Sequence, residues 1–170
     1  MENFYVFLDI DGVLIDLETI KKNFYNGIKP TTHTFNTESV NALNNLFNYL
    51  SKNYDVTLVI TSVWRRDMKE TLMYFEKNNI DLSMLKKIDR TGYFYDALGR
   101  NHRDKEIKNY LKEHNEKHNF VAVDDEAGSF RFPDKNKIKT SMFNGQSLNN
   151  KMVSEWIEKF EKNAEKSLTL

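Results

Sequence analysis

This 170-residue chain predicts an α/β fold with a mainly parallel sheet and right-handed crossovers. Three observations carry that expectation. First, the mostly apolar runs Phe4–Leu8, Val56–Ile60 and Phe120–Val123 lack the regular polar alternation of a half-exposed strand, so each reads as a strand covered on both faces. Second, the runs are separated by segments whose apolar residues fall at helical spacing. Third, each run stops on polar residues: Asp9 and Asp11, then Thr61 and Ser62, then Asp124 and Asp125. A parallel sheet gathers such strand ends along one edge, where open α/β sheets place their ligands.

The elements follow in order. After Leu14, Asp16 to Lys29 reads as a polar, partly helical segment ended by the breakers Gly27 and Pro30. Residues 31 to 36 read as loop. Val40, Leu43, Phe47 and Leu50 predict a helix over about residues 38–52, capped by Asn36 or Thr37. Val56 to Ile60 is rich in β-branched residues and makes the second strand. Trp64-Arg65-Arg66 opens the next helix, whose inner face is Met68, Leu72 and Phe75, and Asn78-Asn79 ends it. Ile80 to Ile88 fits a short strand, a short helix, or both. Arg90 to Asn101 reads as a long loop. Ile107, Tyr110, Leu111 and His114 mark a helix over about 104–117, followed by a strand over 119–123. Glu126 to Lys137 is loop, Ile138 to Phe143 a last short strand and Asn144-Gly145 a turn. Val153, Trp156, Ile157 and Phe160 define a C-terminal helix whose last residues fray.

One domain fits this length, and neither a repeat nor a linker interrupts it. Acidic and basic residues balance at 25 each, so no global field favours nucleic acid or membrane. The absence of cysteine rules out disulfides, thiolate metal sites and a cysteine nucleophile. The first apolar run is too short for a signal peptide, lacks a basic flank and contains Asp9. No stretch reaches membrane-spanning length, and a soluble cytoplasmic protein is the expectation.

Asp9 and Asp11 stand two apart at a strand end and would face the same way. Two such carboxylates repel unless a cation lies between them or one stays protonated. A divalent cation answers this, and magnesium is held by one or two carboxylates with positions left for water and phosphate. An Asp-x-Asp-x-Asp-Gly calcium loop is excluded because Phe7 occupies its first acidic position. The plain alternative is an ordinary turn, for which Asp and Gly12 are common residues. Trp64 reads as core before it reads as a base-stacking platform. Arg65 and Arg66, near a helix N-terminus, suit either an anionic partner or a nearby carboxylate. His114 and His118 complement a helix C-terminus better than they make a metal site. Tyr93, Phe94 and Tyr95, beside Arg90 and Arg100, either stack on bases or cover the sheet edge.

The order Asp9-Ile10-Asp11-Gly12-Val13, Thr61, Arg103 or Lys105, then Asp124-Asp125 resembles the four motifs of the haloacid dehalogenase (HAD) superfamily of phosphohydrolases. Thr61-Ser62-Val63-Trp64-Arg65 and Arg103-Asp104-Lys105-Glu106-Ile107 resemble segments of the HAD domains of Swiss Army Knife RNA-repair proteins. There is also similarity to small deoxyribonucleotidases. The resemblance implies a Rossmann-like HAD fold without a large cap domain. It further implies a magnesium-dependent phosphatase acting on a phosphomonoester, with nucleotides or nucleic-acid ends in view. Asp9 would be the nucleophile and Asp11 the general acid and base, with Arg103 or Lys105 offsetting phosphoryl charge. Thr61, Ser62, Gly12 and Arg65 are the implied substrate contacts. Asp9, Asp11, Asp124 and Asp125, together with the Ile10 carbonyl, are the implied magnesium ligands. The alternatives are a non-catalytic HAD-fold module that binds phosphate or a partner, and a small-metabolite phosphatase.

Overall fold

The structure, a computed structural model, describes residues 1–28, 33–116, 119–143 and 145–168. Five strands form one sheet in the order β3-β2-β1-β4-β5, and every described pairing is parallel. The strands are β1 (Glu2–Leu8), β2 (Tyr54–Ile60), β3 (Lys87–Arg90), β4 (Phe120–Asp124) and β5 (Lys137–Lys139). The helices are α1 (Leu17–Tyr25), α2 (Thr37–Ser51), α3 (Met68–Lys77), α4 (Arg103–Glu113) and α5 (Asn150–Leu168).

Period-two alternation sends β1 side chains to opposite faces, and both are covered. Phe4, Val6 and Leu8 join Leu43, Phe47, Phe75, Val153 and Trp156 in a core beneath α2, α3 and α5. Tyr5 and Phe7 join Ile107, Tyr110 and Leu111 in a second core beneath α4. Two-sided burial is the reason the strand runs are continuously apolar.

Most boundaries fall within a residue or two of expectation; α4, expected to run to about 117, ends at Glu113 with His114 as its C-cap, and the other exceptions have local causes. Asn36 is the cap of α2: its Oδ1 accepts from the Glu38 and Ser39 N–H groups at 2.9 and 3.3 Å. The helix expected from Trp64 starts later. Residues Val63–Arg66 make a single 3₁₀ turn, and Asp67 then caps α3 by accepting from Glu70 N at 2.9 Å. The ambiguous stretch is both things, a 3₁₀ turn at Leu82–Met84 and then β3. The strand expected over 138–143 is only Lys137–Lys139. The loop after β3 is braced by a bridge between Tyr95 and Asn101. Lys29 to Thr32, His118 and Asn144, on which the breaker, loop, histidine-pair and turn expectations partly rest, lie outside the described residues. No helix among the described residues is long and apolar enough to cross a membrane.

Candidate active site

Register brings the site together. Leu8 pairs with Ile60 on one side and with Val123 on the other. The next residues, Asp9 and Thr61, therefore stand level with Asp124. Asp9 N donates to Val123 O at 3.0 Å and Thr61 N to Leu8 O at 2.9 Å, which extends the ladder one step past the strands. Sheet order reverses between β1 and β4, so Asp9 and Asp124 face each other at the topological switch point.

Beyond Asp9 the chain closes a tight turn. The Ile10 carbonyl accepts from the N–H groups of Val13, Leu14 and Ile15 at 3.2, 2.8 and 3.3 Å. This corrects its expected role as a metal ligand, because its lone pairs serve the turn. Gly12 adopts φ +78°, and a Cβ there would lie 2.5 Å from an Asp125 carboxylate oxygen. Glycine is required on both counts: the backbone is left-handed and Asp125 occupies the space. Asp11 turns away from the strand and accepts from the Trp64 indole N–H at 3.1 Å. Burial, then the charge of Asp9, raises its pKa, against the Trp64 bond, His33 and Arg103.

Arg103, the first residue of α4, reaches across the sheet end. Its Nη1 donates to Asp9 Oδ2 at 2.5 Å and to Asp124 Oδ2 at 2.9 Å. Burial opposes its charge, but Asp124 and Asp9 outweigh that and raise its pKa. Lys105 points elsewhere, with its ammonium 4.9 Å from the Phe94 ring centroid. Of the two basic candidates, Arg103 is the one the fold brings to the carboxylates.

Asp9, Asp124 and Asp125 each offer an oxygen within 4.8 Å of the others. Asp11 is not in that group. Burial, with Asp9 adding to it, pushes Asp124 up to about 7, and burial also raises Asp125. One guanidinium against three clustered carboxylates leaves negative charge uncompensated in a buried place. Hard oxygen donors in this number and arrangement suit a divalent cation such as Mg2+.

Beside them, the Thr61 and Ser62 hydroxyls are buried without a partner, as is Arg103 Nε. Buried polar atoms normally find partners, and these stand without one beside the end of β2 and the start of α4.

Residues 5–150 match the family described as the HAD domain in Swiss Army Knife RNA repair proteins. The chain belongs to this family. No curated protein matches it. The family supports a phosphatase-type hydrolase, and HAD domains typically use Mg2+. The matched span runs from β1 to the start of α5 and includes every candidate site residue.

In this HAD domain the two family-like segments meet through an ion pair between Arg65 and Glu106. Arg65, weighed between an anionic partner such as substrate and a nearby carboxylate, is buried and takes the carboxylate. Its Nη2 donates to both Glu106 oxygens at 2.9 Å and its Nη1 to Ser62 O at 3.2 Å. Glu106 also accepts from Phe94 N at 2.9 Å and Asn101 Nδ2 at 2.8 Å. It thus ties α4, the loop after β3 and the loop after β2 into one unit. His33 was missed. It packs edge-on to Trp64, with ring centroids 4.6 Å apart, and its signal was only a lone histidine in a loop.

Proposed function

We propose that this chain is a magnesium-dependent phosphomonoester hydrolase that works through an aspartyl-phosphate. The observation that carries the reading is the level row Asp9–Thr61–Asp124, crossed by Arg103 and flanked by the unfilled hydroxyls of Thr61 and Ser62. Those hydroxyls and Arg103 take phosphoryl oxygens. A carboxylate oxygen of Asp9 attacks phosphorus, and its new O–P bond forms as the bond to the leaving oxygen breaks. Asp11 delivers a proton to that oxygen, a role its raised pKa favours. Water then attacks the aspartyl-phosphate, Asp11 takes its proton, and phosphate departs with Asp9 restored as carboxylate. Asp9, Asp124 and Asp125 would hold a magnesium ion, which when bound offsets negative charge on the phosphoryl oxygens.

Substrate choice follows from what lies over the strand ends. Between β1 and β2 the described residues hold α1, α2 and their loops, and between β2 and α4 a short helix, β3 and one loop. Among the described residues no separate domain encloses the site, which suits the phosphate of a nucleotide or a nucleic-acid end. The family's RNA-repair association supports the same choice. Balanced charge argues against tight non-specific binding to long polymers. Comparing an oligonucleotide 3′-phosphate, a 5′-phosphate, mononucleotides and sugar phosphates at fixed salt tests it. Faster turnover of sugar phosphates than of every nucleotide substrate would overturn the nucleic-acid reading alone. Failure on every phosphoester would favour a non-catalytic binding module.

Two results follow for the site. Asp11→Asn is expected to lower kcat about 10²–10⁴-fold on alkyl phosphates and far less on p-nitrophenyl phosphate, whose leaving group departs without a proton. Equal losses on both would remove Asp11 from the acid role. Magnesium is expected to stabilise the fold, because it binds carboxylates that repel one another. At about 100 times its Kd the gain is about 2.7 kcal/mol, and a domain of this size then shows a Tm rise of about 5–10 °C. A Tm indifferent to magnesium in thermal unfolding would count against the three-carboxylate site.

A further inference from the structure

A groove of about 670 Å³ opens beside Asp11, between α1 and the start of α3. Asp11 lines it, whereas Asp9, Asp124 and Asp125 do not. One wall is a packed aromatic corner: Trp64, His33 and Tyr74 meet edge-to-face with ring centroids 4.6 to 5.9 Å apart. Helix α1 also lines the groove and presents Phe24 at 72 % exposure. Of the large apolar side chains exposed among the described residues, Ile20, Phe24, Tyr25 and Val63 all line this groove. Apolar surface so concentrated beside a reactive carboxylate marks a binding site.

The charges limit what fits. Lys21 and Arg66 line the groove, but Asp67, Glu70 and Asp11 line it too, so it carries no net positive charge. A polyphosphate or a charged strand is poorly served there, whereas a neutral flat group is well served. Aromatic side chains from α1 and from the Trp64 corner favour a planar ring over a saturated chain. The volume exceeds that needed by a single ring and leaves room for a sugar between base and phosphate.

We propose that this groove is the leaving-group site and takes the nucleoside of a nucleoside monophosphate or of a terminal nucleotide, with its base against Trp64 and Phe24. This rests on the phosphatase reading for its role in turnover, but binding of the nucleoside does not. The Trp64 N–H that bonds Asp11 belongs to the same ring, so the seated base lies against the side chain that orients the acid.

The two tryptophans make the test internal. Trp156 is buried and its indole N–H is bonded to Lys135 O at 2.8 Å, remote from the groove. In a ¹⁵N-labelled full chain, adenosine and uridine are expected to shift the Trp64 indole signal saturably and to leave that of Trp156 in place. Phe24→Ala is expected to weaken that binding about tenfold, in line with loss of one stacking partner. It is expected to lower the kcat/KM ratio of nucleoside monophosphate to ribose 5-phosphate by about the same factor. An unmoved Trp64 signal at saturating nucleoside overturns the proposal, and so does a base-free or alkyl phosphate turned over as well as a nucleotide. If no phosphate ester is hydrolysed, the phosphatase reading fails and the Trp64 shift alone decides whether the groove holds a nucleoside.

Discussion

Asp9→Asn is expected to abolish phosphatase turnover, by on the order of 10⁴-fold or more, while the chain stays folded. The substitution preserves shape and keeps an oxygen to accept from Ile10 N, as Asp9 Oδ1 does at 2.9 Å. It removes the proposed nucleophile and one of the three clustered carboxylate charges. Arg103 retains Asp124 as an ion-pair partner. Relief of repulsion with Asp124 and Asp125 offsets the lost bond to Asp9, so thermal stability without magnesium is expected to stay close to the original. The magnesium-induced rise in Tm is expected to shrink. Activity and unfolding measured on one purified preparation check both halves. Full activity in the folded variant would remove Asp9 from the nucleophile role.

The strands and the acidic row were legible because each depends on a local pattern. β1, β2 and β4 are buried on both faces, which leaves a continuous apolar run, and the polar residues follow where the sheet stops. The choice between Arg103 and Lys105 was not made, although a signal existed. Ile107, Tyr110 and Leu111 define the buried stripe of α4, and counting back four, seven and eight residues from them reaches Arg103. Lys105 lies off that stripe, which is why it stands over Phe94. The late start of α3 was hidden because Trp64 and Met68 continue the helical spacing, while Asp67 interrupts the backbone to cap. The Ile10 carbonyl was misassigned because where a carbonyl points depends on the turn, and no side chain reports it. Glu106 was missed for a different reason. A charge in a polar helix reads as a solvated face, and only its partner 41 residues away reveals that it is buried.

That partner makes Arg65–Glu106 the site of the largest expected change in stability. Both side chains are almost fully buried, at 2 % and 0 % exposure. Burial lowers the pKa of Arg65, while Glu106 works to keep it charged. Removing one partner strands the other in the interior, which typically costs about 3–5 kcal/mol. Arg65→Ala and Glu106→Ala are each expected to fall in that range, read as a lower urea midpoint with an unchanged slope. Glu106→Ala also releases Phe94 N and Asn101, so the loop after β3 loosens with it. Replacing the pair together with apolar residues, Arg65→Met with Glu106→Leu, is expected to cost far less than the two losses added, since no charge is then stranded. Activity is expected to follow a different order. Glu106 lies one turn after Arg103, and Arg65 holds the Ser62 carbonyl, so the apolar double variant recovers stability without recovering turnover. A double variant as active as the original would reduce the pair to a packing element. Additive losses in the double variant would mean that the two charges do not depend on each other.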